Sequence, residues 1–248
     1  MNKPTEGRYA GKLRSDDAAT SVPEYLQRTY WWAYIHPFGV KVFERQWLVN
    51  LILWGNYTRL CDAVLRCLGE KITGHFLQVA CAYGDLTPRL ASHFTADATL
   101  DVIDILPIQL DNLAHKFAEN SAVKLHCMDS TALSFPDHHF DKALLFFLLH
   151  EQPTSVRIQT LKEAMRVIRP GGTLVIVDYA KPHWLNPLRY IMIPILALLE
   201  PFALDLWQME LANYICLHSK LQLVQEKRYC GGLYQLLVFQ VDSNVSSR

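Results

Sequence analysis

Residues 76–87 read Phe76-Leu77-Gln78-Val79-Ala80-Cys81-Ala82-Tyr83-Gly84-Asp85-Leu86-Thr87. The first five residues form a short apolar run of strand type, a turn containing Gly84 follows, and Leu86 opens a helical pattern that Leu90 and Phe94 continue at four-residue spacing. This is one strand, turn and helix. Working outward, 98–104 reads as a second strand feeding a helix around Leu110, Leu113 and Phe117, and 123–128 as a third strand ending at Asp129. Asp141 precedes KALLFFLL (142–149), an apolar run of the kind buried on both faces of a parallel sheet. Leu161, Met165 and Ile168 fall at helical spacing over 155–168, and Arg169-Pro170-Gly171-Gly172 stops that helix before the strand TLVIVDY. Near the end, LQLVQEKRY and LYQLLVFQV flank Cys230-Gly231-Gly232 and read as an antiparallel hairpin. The alternation predicts an α/β fold: a doubly wound, mostly parallel, seven-stranded sheet with an antiparallel C-terminal hairpin.

Two segments stand outside this alternation. Residues 21–70 read as aromatic-rich helices and 183–218 as an apolar helical insertion, and all six tryptophans lie in these two stretches. The expected layout is a disordered tail at 1–20, a helical cap at 21–70, a nucleotide-binding core at 71–182, the insertion at 183–218, and the hairpin with its tail at 219–248. Glu6, Asp16 and Asp17 in the first twenty residues argue against a secretory signal or mitochondrial presequence. Half of the 248 residues are hydrophobic and 19% are charged, which excludes disorder over most of the chain. The 24 basic and 24 acidic side chains cancel, so no net field draws the molecule to nucleic acid. Six cysteines without a C-x-x-C pair read as packing residues in a reducing compartment. The ten uncharged residues 190–199 are too few to span a bilayer, which takes roughly 20. Pro187, Pro194 and Pro201 point to short helices lying along a surface.

The loop after the first strand resembles motif I of class I S-adenosylmethionine (SAM) dependent methyltransferases, above all the quinone-methylating branch. There an acid and three small positions precede Asp-Leu-Thr. Here Gln78 stands at the acid, Ala80 and Ala82 at the first two glycine positions and bulky Tyr83 beside the surviving Gly84. The supports follow in order. Asp104 ends the second strand about 20 residues on, where nucleoside-binding folds carry the ribose carboxylate. Asp129-Ser130 matches the position that meets the adenine amino group. Phe135-Pro136-Asp137, Phe140-Asp141 and Glu163-Ala164-Met165-Arg166-Val167-Ile168-Arg169-Pro170-Gly171-Gly172 resemble the same family. The resemblance implies SAM as a co-substrate held by Gln78, Ala80, Tyr83, Gly84, Asp104, Asp129 and Ser130.

The departures carry a closer likeness. The loop from Val79 to Asp85, Leu149-His150-Glu151-Gln152-Pro153, and YWWAYIHPFGVKVFERQWLVNLILWGNY together resemble the RquA family of rhodoquinone biosynthesis proteins. Membership would imply that ubiquinone is the substrate, that an amino group replaces a ring methoxy group, that SAM is the amino donor, and that a divalent metal takes part, with manganese preferred. Gln78 offers a physical reason. An acid at that position would favour the protonated amine of SAM, whereas an attacking amine needs a free lone pair and a neighbour to take its proton. Tyr83, Asp85 and His150 are the catalytic candidates. The plainer alternatives are an N-cap role for Asp85, a pocket wall for Tyr83, a solvated Glu151, a turn-capping rather than pocket-facing Asp178, and surface positions for His138 and His139. Manganese takes oxygen ligands, and Asp85, Asp104 and Asp178 lie at strand ends where they could converge; no ligand spacing shows that they do.

Two rival readings stay open at this level: a conventional quinone or polyprenylphenol methyltransferase, and a non-catalytic SAM- or lipid-binding scaffold. A polyprenyl quinone keeps its tail in lipid, so the amino-transfer reading expects a peripheral protein at the cytoplasmic face of a bacterial inner membrane. Ile191, Ile193, Ile195, Leu196 and Leu199 of the insertion are the expected docking residues. Trp47, Leu51 and Trp54 share a helical face and read as cap core. Arg189 against Glu200, Asp205 and Glu210 leaves little positive charge, so docking is expected to resist salt.

Overall fold

The computed structural model describes residues 22–118, 121–219 and 221–242. The tail expected at 1–20 lies outside them. Seven strands form one sheet in the order β3-β2-β1-β4-β5-β7-β6. They are β1 (His75–Val79), β2 (Thr99–Asp104), β3 (Val123–Cys127), β4 (Phe140–Phe146), β5 (Ile168–Tyr179), β6 (Leu221–Tyr229) and β7 (Tyr234–Val241). The first five run parallel, and β7 inserts antiparallel between β5 and β6. The sheet is the one predicted. Strand order reverses between β1 and β4, and at such a switch point the diverging loops leave a crevice at the carboxyl ends of the strands.

The apolar run KALLFFLL does not remain a strand to its end. β4 stops at Phe146, Phe147 takes φ +53°, and Leu149–Glu151 form a single 3-10 turn. The cause is Asp178 at the end of β5. Its carboxylate accepts the backbone N–H groups of Leu149 (2.8 Å) and His150 (3.3 Å), bending the chain across the top of the sheet.

Helices α4 (Leu86–Ala91), α5 (Pro107–Ala114) and α6 (Thr154–Val167) cross between the parallel strands. The N-terminal segment forms a π-helix (Leu26–Ile35), then α1 (Pro37–Phe43), α2 (Gln46–Ile52) and α3 (Tyr57–Leu68). The insertion is α7 (Pro187–Leu199), α8 (Pro201–Gln208) and α9 (Leu211–His218), with a proline opening each of the first two. Only α3 of the N-terminal helices is deeply embedded, burying seven of its twelve residues. The expectation that Trp47, Leu51 and Trp54 form cap core is not met: all three are exposed, and α2 buries no residue. Amphipathic spacing identifies an apolar face without saying what covers it. Among the described residues no helix is long and apolar enough to cross a membrane.

Candidate active site

The cavity at the switch point is walled by the ends of β1, β2, β4 and β5, the turn after β3, the π-helix and α2. Its cofactor side is the loop after β1. Ala80 stands where the family's first glycine would stand and still holds φ +72°, a left-handed conformation that costs a non-glycine residue about 1 kcal/mol. Hydrogen bonds over-determine it. Ala80 N–H donates to Ile103 O (2.9 Å), and Cys81 N–H donates to Asp104 Oδ2 (2.8 Å). The other oxygen of Asp104 accepts Leu106 N–H at 2.9 Å. The Ile105 N–H and the Cys81 thiol also meet this carboxylate, which lines the cavity and faces the place of the ribose. Burial pushes the Asp104 carboxyl up to about 6.

Gly84 is retained for a local reason. A Cβ there would lie 2.5 Å from the hydroxyl of Tyr57, and the backbone has φ +82°. That hydroxyl accepts the N–H groups of Asp85 (2.8 Å) and Leu86 (3.0 Å), which makes a tyrosine from α3 the cap of α4. Asp85 therefore makes no side-chain cap of its own. Its carboxylate instead accepts Gln46 Nε2 at 3.1 Å and lies 3.2 Å from the Tyr57 hydroxyl. Tyr83 is a wall residue and a tie: its hydroxyl donates to Ala33 O (2.7 Å), accepts from Gln109 Nε2 (2.7 Å), and its ring stacks on Tyr34. Burial holds its hydroxyl well above the ordinary phenol range.

Ala80, Tyr83, Asp104, Asp129, Ser130 and His150 line the cavity, whereas Gln78, Gly84 and Asp85 lie behind its wall. Gln78 is fully buried at the end of β1, where its Nε2 donates to Ala80 O (3.0 Å) and its Oε1 has no donor. Asp129 Oδ1 accepts the backbone and hydroxyl of Thr131, both at 2.8 Å. The Ser130 hydroxyl accepts from Gln152 Nε2 at 3.2 Å, and Oε1 of Gln152 is buried without a partner on the cavity wall.

The opposite side of the cavity holds a charged cluster. Asp178 Oδ1 accepts His150 Nδ1 at 2.9 Å, which leaves Nε2 facing Glu151 Oε1 at 3.8 Å and Glu200 Oε2 at 3.9 Å. Burial alone would lower the His150 pKa, but Asp178, Glu200 and Glu151 outweigh it and push the imidazole up to about 9. Burial, with Glu200 nearby, raises Glu151 above the usual carboxylate range; His150 offsets only part of this. Glu151 is thus no solvated residue, and its carboxylate accepts the hydroxyl of Tyr34. Asp178 faces inward and orients His150. His138 and His139 are exposed, as expected.

Asp85, Asp104 and Asp178 do not converge. Each is committed to a different set of partners, and among the described residues no group of three or more His, Cys, Asp or Glu side chains is placed to hold a metal ion. The residues do not fit the manganese expectation. They do fit a nucleoside: a ribose-type carboxylate at Asp104, polar groups at Asp129-Ser130-Gln152, and an orphaned acceptor at Gln152 on the cavity wall. As cavity residues four were missed: Glu151 was read as solvated, Glu200 only as a charge of the insertion, and Gln152 and Gln109 were given no role of their own. Glu200 alone left a signal, a single acid enclosed between apolar runs, where charge is unusual unless partnered.

If Asp104 holds the ribose, Asp104→Ala should weaken SAM binding by about 1.5–3 kcal/mol, the scale of a hydrogen bond to a charged group. Affinity should also fall as pH drops through about 6, where the carboxylate gains its proton. Calorimetric titration with SAM checks both; unchanged affinity discards the assignment.

Residues 76–172 match a family described as methyltransferase domain. An eEF1A lysine and N-terminal methyltransferase homolog of Drosophila melanogaster is 29% identical over 66% of this chain and 24% of its own length. A ubiquinone/menaquinone biosynthesis C-methyltransferase of Ectopseudomonas mendocina is 30% identical over 57% of this chain and 55% of its own length. The chain thus spans about a quarter of one relative and about half of the other. Among solved structures, a SAM dependent methyltransferase from Aquifex aeolicus superposes with a TM-score of 0.51 at 16% identity, covering 73% of this chain and 89% of that one. Residues 76–172 are matched by the methyltransferase domain family, and the chain that carries them has the class I SAM-dependent methyltransferase fold.

Proposed function

We propose that this chain converts ubiquinone to rhodoquinone, exchanging a ring methoxy group for an amino group, with SAM as the donor. The observation that carries the reading is Gln78. A neutral side chain buried behind the cavity wall stands where the methyltransferase pattern has an acid, so no carboxylate at that position biases an amine in the cavity towards its ammonium form. In this reading SAM, when bound, supplies the amino nitrogen. A C–N bond would form at the ring carbon as the methoxy group leaves as methanol, and the N–Cα bond of SAM would then break, the quinone ring taking up the two electrons and water supplying the oxygen of the 2-oxo acid that leaves, so that the product is the aminoquinol.

The chain's own contribution is proton management. With its pKa near 9, His150 enters the reaction as an imidazolium, held by Asp178 through Nδ1 with Nε2 toward the cavity. It gives its proton to the departing methoxy oxygen and recovers one from the attacking amine, with Glu151 and Glu200 holding charge balance around it. A lipid-tailed substrate favours a membrane surface, and the reading puts the protein at the cytoplasmic face of a bacterial inner membrane as part of the proposal.

The second reading is methyl transfer to a quinone, favoured by the Ectopseudomonas relative. Paired incubations decide. Protein with nitrogen-labelled SAM and a short-chain ubiquinone should yield a product carrying the labelled nitrogen, identified by mass. A parallel incubation with a short-chain demethylated quinone, which keeps a ring hydrogen to replace, tests the second reading by a methylated product, and turnover of neither quinone establishes the scaffold. Gln78→Glu should keep or improve SAM binding while slowing amination; if binding and rate rise together, the neutral-neighbour reasoning is wrong.

A further inference from the structure

From Ile191 to Leu199 helix α7 is apolar around its circumference, yet only Met192 and Leu196 are buried. Ile191, Ile193, Ile195, Leu198 and Leu199 are exposed, so of the docking residues expected from sequence Leu196 faces the core instead. A helix that is hydrophobic all round is ordinarily covered. At 13 residues it is about 20 Å long and cannot span a bilayer core of about 30 Å. A second apolar element stands beside it. Trp47 is 61% and Leu51 65% exposed on α2, and Trp54, just past its C-terminal cap Leu53, reaches Met192 of α7, indole Nε1 to Sδ, at 3.2 Å.

Charge and position identify the cover. Within residues 36–54 the only acid is Glu44, which turns inward to Lys116 and Asn112, while Lys41 and Arg45 are exposed. Within 184–199 the only charge is Arg189. Glu200, counted from sequence against Arg189, faces the cavity. Aromatic rings flanked by cations match an anionic lipid surface. A two-fold partner copy would set Lys41 and Arg45 against themselves. The cavity also opens on this face: Trp32 and Ile52 both line it and are partly exposed.

We infer that α2 and α7 form one docking surface for an anionic lipid bilayer, joined at Trp54 and Met192, which sets the mouth of the cavity onto the membrane. This deepens the proposed reaction and rests on it only for the expectation of a lipid-tailed substrate. The full chain should float with vesicles of phosphatidylglycerol and phosphatidylethanolamine. It should float with phosphatidylcholine vesicles about tenfold more weakly, because Lys41 and Arg45 add an electrostatic share; this replaces the salt resistance expected from the insertion alone. The triple variant Trp47→Ser/Leu51→Ser/Leu198→Ser changes only solvent-facing side chains outside the cavity. Its partitioning should fall about a hundredfold or more, with SAM affinity by calorimetry unchanged. Equal flotation of the variant, no flotation of the wild type, or a dimer in light scattering that the variant breaks would each overturn the inference. Turnover of short-chain ubiquinone needs no bilayer. Turnover without flotation therefore overturns docking alone, and flotation without turnover overturns the reaction while leaving docking in place.

Discussion

Asp178→Asn should slow turnover by about 10²–10⁴-fold while leaving SAM affinity intact. Asp178 does not line the cavity. It raises the His150 pKa, fixes the ring through Nδ1, and holds the 3-10 turn through the N–H groups of Leu149 and His150. Asparagine has the same shape and loses the charge. The readout that separates an electrostatic role from a structural one is the pH profile. If imidazolium is the working form, the wild-type rate falls as pH rises through about 9, and in Asp178→Asn the falling limb moves to lower pH. A slower enzyme with an unmoved limb would show that Asp178 only shapes the turn. Stability follows the same sign. The folded-state pKa of His150 lies above its unfolded value, so the contribution of that proton is fully present below about 6.5 and is lost as pH rises through about 9. Thermal unfolding across that window should show a decline that Asp178→Asn flattens.

Arg157→Leu should cost about 3–5 kcal/mol of stability, measured by denaturant unfolding. Arg157 is fully buried in α6. Its Nε donates to Leu149 O (2.8 Å), and one terminal nitrogen donates to Gln152 O and Phe202 O, both at 2.9 Å. Removing it strands three buried carbonyls, two in the turn carrying His150 and one in α8. Arg157→Lys should recover only part of the loss, because a point charge lacks the planar fork that reaches separate carbonyls. A loss below about 1 kcal/mol for Arg157→Leu would mean that water replaces the guanidinium.

The sheet was legible because its strands are period-marked apolar runs and its turns carry glycine, proline or aspartate at the switch from strand to helix. The hairpin was read almost to the residue, whereas β5 begins at Ile168, so the Arg169-Pro170-Gly171-Gly172 stretch read as a helix stop before the strand lies within it. The cofactor side of the cavity was legible for the same reason: Ala80, Tyr83, Asp104, Asp129 and Ser130 follow strand ends, and strand ends converge in this fold. Glu151 and Glu200 were not legible. Their burial comes from α8 packing on the turn after β4, a contact between segments about 50 residues apart that no local pattern records. Trp47 and Leu51 were misread because an apolar stripe looks the same whether protein or lipid covers it. Asp85 was read as a catalytic candidate with an N-cap role as its alternative; it does not line the cavity, and Tyr57, 28 residues upstream, does the capping.

Tyr83 and Gly84 also limit how this loop can be exchanged. A glycine-rich loop transplanted from a methyltransferase would bring no hydroxyl to meet Ala33 O and Gln109, and no ring to stack on Tyr34. The converse transplant would carry Tyr83 into a chain without the π-helix that receives it, and any larger residue at 84 would strike Tyr57. The loop and the N-terminal helices are therefore epistatic: neither can drift alone, and a chimera that swaps one must swap both to keep its cavity.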